Sequence, residues 1–121
     1  MPRYLLQIIE DEVAYTTPDP AEFDRIMAMH QDFSAAVTAA GAEVLGSEAL
    51  RPTPTARYLR GTRTDEVHLV DNPAAELKEV LGGYYLIEAA DEDQALEVAK
   101  LCPAPQGYIE VRPIWDFSAA S

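Results

Sequence analysis

Residues Tyr4 to Ile9 are apolar at every position except Gln7, a pattern that suits a central strand covered on both faces. Asp19, Pro20, Ala21 and Glu22 then supply an N-cap, a proline at the first helical position and the glutamate of a capping box, so a helix begins here. Along it Phe23, Ile26, Met27, Phe33, Val37 and Ala40 recur at helical spacing, His30 lies on the same stripe, and Gly41 supplies the stop. Glu43 to Leu50 reads as a second strand. Pro52 and Pro54 mark a rigid loop before Ala56 to Arg60, and Gly61 to Asp65 is a hairpin connection into a strand from Glu66 to Val70. In that strand Val67, Leu69 and Asp71 share one face, while His68 and Val70 share the other.

Asp71, Asn72 and Pro73 form a turn signal, Glu76, Lys78 and Glu79 leave a polar loop beside the sheet edge, and the strand restarts after Gly82 and Gly83. Tyr84, Tyr85, Leu86 and Ile87 are apolar or aromatic at successive positions, the mark of a strand buried on two sides. Asp91 caps a second helix with Gln94 at the capping-box position, Ala95, Leu96, Val98, Ala99 and Leu101 form its buried side, and Cys102, Pro103 and Pro105 end it. Tyr108 to Ile114 makes the last strand, followed by an apolar tail with Trp115 and Phe117 that can dock on a partner subunit. This order predicts an α+β fold, ferredoxin-like βαββ(β)αβ, with helices on one side of a mainly antiparallel sheet. The other sheet face has nothing in its own chain to cover it, which predicts an interface.

The stretch from Val70 to Glu88 resembles the signature of the YCII-related proteins in their DGPF branch, Asp-Gly-Pro-Phe-Ala-Glu-Thr-Lys-Glu followed by Gly-Gly-Tyr-Tyr and an apolar strand. Asp71, Pro73, Ala75, Glu76, Lys78, Glu79, Gly82, Gly83, Tyr84 and Tyr85 agree with it. Asn72, Ala74 and Leu77 depart from it, and Ala74 removes an aromatic ring that can wall a pocket beside the aspartate. The resemblance runs from the opening strand to Glu110, Val111, Arg112 and Pro113. It implies the dimeric α/β barrel, in which two subunits pair sheet to sheet and each keeps a cleft between sheet and helices.

A chain of 121 residues is long enough for one domain with a real core, and residues 1–121 are expected to form a single domain. The formal net charge of −12 would repel phosphate backbones, which argues against direct nucleic-acid binding. No apolar run reaches the length of a membrane span and no signal peptide is evident, so a cytoplasmic protein with no membrane partner is expected. The lone Cys102 cannot form an internal disulfide and reads as a small apolar residue closing a helix. No metal-ligand spacing, phosphate-cradling glycine loop or nucleophile elbow is present, and no cofactor is expected.

The candidate chemistry is His30 with Asp71. An imidazole on the sheet-facing stripe of the first helix and a carboxylate at a strand end can meet in one cleft, where the carboxylate fixes the tautomer and leaves the second nitrogen free to move a proton. The resemblance implies the same two positions as an active-site pair. The same two groups can equally form a buried polar pair that holds helix to sheet. Tyr84 and Tyr85 point to opposite faces, so one looks into the cleft and the other into the dimer interface, and Glu76 can sit at the cleft mouth. These residues predict a cofactor-independent lyase or isomerase acting on a small hydrophobic or cyclic molecule. The alternative is a non-enzymatic ligand-binding or regulatory homodimer, a setting the resemblance links to sigma-factor signalling.

Overall fold

The computed structural model describes residues 1–11, 19–70 and 79–119. Strand β1 spans Arg3–Asp11, helix α1 Pro20–Ala39, β2 Glu43–Ala49, β3 Tyr58–Arg60, β4 His68–Val70, β5 Glu79–Glu88, helix α2 Glu92–Ala99 and β6 Gly107–Pro113. Strands β2, β5, β1 and β6 form one sheet in that spatial order, and the pairs β1 with β5, β1 with β6 and β2 with β5 are all antiparallel. Together with the two helices this is a ferredoxin-like α+β fold. Strands β3 and β4 pair with each other in a separate two-stranded sheet. Each is three residues long, and Leu59 and Leu69, paired directly across the two strands, stay exposed and do not join the main core.

Both helix starts follow local chemistry. The Asp19 carboxylate accepts the Glu22 backbone N–H at 2.8 Å, and the Asp91 carboxylate accepts that of Gln94 at 2.8 Å, each satisfying one of the donors that a helix N-terminus leaves open. The expected capping box is only half formed at α1, because the Glu22 side chain turns to Arg25 at 3.3 Å instead of returning to the cap. Gly41 ends α1 with φ of +87°, the left-handed conformation glycine adopts without penalty.

The core lies between the helices and one sheet face. Strand alternation sends Tyr4, Leu6 and Ile8 of β1 and Tyr85 and Ile87 of β5 toward Phe33 and Val37 of α1. Helix α2 contributes Ala95, Val98 and Ala99, whereas Leu96 and Leu101, expected inside, are exposed. The small side chains at 95, 98, 99 and 102 form the face that approaches the sheet closely, and Leu96 lies about 100° around the helix from Ala95. The N-terminal half of the α1 stripe also departs from expectation, since Phe23 and Met27 are exposed. Strand β5 begins at Glu79, which was expected in the preceding polar loop, and contains Gly82 and Gly83 within its length.

On the opposite sheet face Leu5, Ile9, Tyr84 and Leu86 are only partly buried, so β1 and β5 are not covered on two sides within one chain. Among the described residues no helix is long and apolar enough to cross a membrane.

Candidate functional site

The first half of α1 borders a hollow over part of the sheet formed by β1, β2 and β5. The gap is a cleft of about 490 Å³ bordered by Phe23, Ile26, Met27 and His30 from α1, Ile8 and Glu10 from β1, the end of β2, and Gly82 to Tyr85 of β5. Its size matches that of small-molecule sites. The exposure of Phe23 and Met27 follows from this placement, since they line a hollow rather than a packed core.

Tyr85 forms the floor. Its Cα lies opposite Leu6 on β1 and Ser47 on β2, which fixes its ring on the helix side of the sheet. The ring meets Phe33 edge-on at a centroid distance of 4.7 Å and stacks with His30 at 5.7 Å. The phenol oxygen lies 2.6 Å from His30 Nδ1, a short hydrogen bond between partly buried groups. Burial raises the phenol's pKa, with a further push from Cys102 and an opposing pull from the Ser34 hydroxyl, so at neutral pH the phenol carries its proton. Burial also lowers the imidazole's pKa, so His30 is neutral under the same conditions. Two proton arrangements satisfy the pair: the phenol donates to Nδ1 and Nε2 carries the hydrogen, or Nδ1–H donates to the phenol oxygen and Nε2 keeps its lone pair. The second is a base with a fixed ring.

Tyr84 borders the cleft, but strand alternation turns its side chain to the opposite sheet face, where its Cα pairs with Gln7 and Glu48. Of the two tyrosines, Tyr85 is therefore the cleft residue. The structure brings His30 together with Tyr85, whereas Asp71 and Glu76, and with them the expected partnership of His30 with Asp71, lie outside the described residues. His68 is exposed and its Nδ1 is 2.8 Å from the Glu66 carbonyl, a local contact away from the cleft.

Two cleft features were not singled out in the sequence. The contact between His30 and Tyr85 joins residues 55 apart and depends on how α1 is rotated over β5. Glu10 was legible in principle: the parity that buries Tyr4, Leu6 and Ile8 continues to position 10 and places a carboxylate on the cleft side. Burial raises its pKa. The nearby Cys102 thiol is buried and pushed up to about 12, first by burial and then by the Glu10 charge, which makes it inert. Among the described residues no cluster of three or more His, Cys, Asp or Glu side chains is arranged to hold a metal.

A protein of Rhizobium meliloti (strain 1021), itself described as uncharacterised, is 41% identical over 69 residues, which cover 54% of this chain and 54% of that protein. The chain thus matches about half of that relative's length. The model of the YCII-related domain matches residues 3–118, almost end to end, and the chain belongs to that family.

Proposed function

We propose that the cleft is a proton-transfer site, giving a cofactor-independent lyase or isomerase for a small hydrophobic or cyclic substrate, with His30 as the group that moves the proton. The observation that supports this is the 2.6 Å contact between His30 Nδ1 and the Tyr85 phenol within a largely apolar hollow. Tyr85 holds one nitrogen and fixes the ring. Nε2, when unprotonated, takes a proton from a substrate C–H bond; the electron pair left behind moves into an adjacent carbonyl or ring system. An isomerase returns the proton at another carbon, and a lyase instead expels a leaving group. In this reading Tyr85 orients the ring from the Nδ1 side. Asp71, as a carboxylate partner of His30, and Glu76, as a substrate-binding residue, remain part of this proposal.

The proposed assembly is a homodimer paired through the sheet face that carries Leu5, Ile9 and Leu86. A ligand-sensing regulatory dimer without turnover is the competing reading. It is favoured by the nature of the histidine's partner, since a neutral phenol strengthens a base less than a carboxylate does.

Solvent exchange separates the two without knowledge of the natural substrate. In deuterated water, a panel of enolisable cyclic ketones and lactones is followed by proton NMR for loss of C–H signal. The proton-transfer reading expects exchange that His30→Ala slows by about 10²- to 10⁴-fold, the usual contribution of general acid–base catalysis. The lowered imidazole pKa keeps Nε2 available at mildly acidic pH, so the rate falls only below the ordinary histidine value of 6.5. Exchange that is the same in wild type and His30→Ala refutes the assignment.

A further inference from the structure

We infer that the cleft selects ligands carrying a protonated amine on an apolar body, and that Glu10 is the residue that recognises the amine. This rests on the reading of the cleft as a small-molecule site and adds the charge of what enters it. Glu10 continues the core-facing parity of β1 beyond Ile8, which places its side chain on the helix side and among the cleft-lining residues. Its carboxylate has no hydrogen-bond or ion-pair partner among the described residues, although it is partly buried. A carboxylate removed from water without a partner is costly to keep ionised, and the upward shift of its pKa agrees with that cost.

The described groups around it do not relieve it. Among the described residues lining the cleft there is no lysine or arginine. His30 is neutral at physiological pH and its Nδ1 is engaged by Tyr85. The Cys102 thiol is itself pushed upward by Glu10 and brings no positive charge. Of the other two carboxylates on the lining, Glu22 already meets Arg25 at 3.3 Å, and Glu48 belongs by strand parity to the opposite face. An unpaired carboxylate inside a mostly apolar cleft is relieved by a ligand that brings a cation with hydrogen-bond donors, and it repels a ligand that brings a carboxylate. The apolar lining from Ile8, Phe23, Ile26 and Met27 accounts for the rest of such a ligand.

The test uses three probes of matched shape, cyclohexylmethylamine, cyclohexylmethanol and cyclohexanecarboxylate, titrated into the full chain at neutral pH and followed by amide chemical shifts. The amine is expected to bind at least about tenfold more tightly than the alcohol, and the carboxylate most weakly, as a charge-assisted hydrogen bond implies. Glu10→Gln should erase the amine's advantage while leaving alcohol binding and the amide spectrum in place, whereas Glu22→Gln should retain it. Equal binding of amine and alcohol, an amine preference that survives Glu10→Gln, or binding of none of the three overturns the inference. An amine preference without His30-dependent exchange leaves this inference standing and removes the proton-transfer reading. Exchange on neutral compounds without an amine preference does the reverse.

Discussion

Tyr85→Phe removes one oxygen from the cleft floor and leaves the ring, which makes it a clean probe of the pair with His30. The edge contact with Phe33 at 4.7 Å and the stack on His30 at 5.7 Å belong to the ring, so the packing term is retained. What is lost is the hydrogen bond of 2.6 Å, and His30 Nδ1 is left without that partner in a partly buried position. The cost of such an orphaned group is roughly 1–2 kcal/mol. For a chain of 121 residues, an unfolding entropy of about 2.1 cal/mol/K per residue turns each kcal/mol into about 4 °C, so the melting temperature should fall by about 4–8 °C. Thermal unfolding followed by circular dichroism reads the loss. Imidazole nitrogen NMR reads its cause, because the tautomer held by the phenol should give way to a mixture. Tyr84→Phe is the control, since that side chain lies on the other sheet face. If Tyr85→Phe melts with wild type and leaves the His30 nitrogen signals unchanged, the phenol does not hold the ring, and the orienting role proposed for it is wrong.

Gly83→Ala should destabilise by about 1–3 kcal/mol and also weaken binding in the cleft, because an added Cβ falls 2.8 Å from the Glu48 carbonyl oxygen and 3.3 Å from Ala49 Cα. Both neighbours are backbone of β2, so the strand that forms one cleft wall has to move, and an unchanged melting temperature would rule this out. For the assembly, sedimentation equilibrium should give the mass of two chains, and Leu5→Glu should give the mass of one, since position 5 pairs with Leu86 and Arg112 on the uncovered sheet face. A wild-type mass of one chain at all concentrations refutes sheet-to-sheet pairing.

What was legible in the sequence was what is decided within a few residues. The carboxylates of Asp19 and Asp91 cap the helices as their spacing implies, and Gly41 stops α1, because those contacts close within one turn. What was not legible depended on the rotation of one element over another. The apolar set of α2 contained both Leu96 and Val98, and only close approach of a small-residue face decides that Val98 is buried and Leu96 is not. The two tyrosines could be assigned to opposite faces, but not to which face, until the register placed Tyr85 opposite Leu6 and Tyr84 opposite Gln7. Gln7, the sole polar residue in the first apolar run, already marked the face of β1 away from the core, but which tyrosine shares that face is set by the register between β1 and β5. The same count along β1 brings Glu10 to the core side. Polar residues that interrupt an apolar strand thus carried more information about the site than the aromatic residues did, because each exception has to be resolved by water, by a partner or by a ligand.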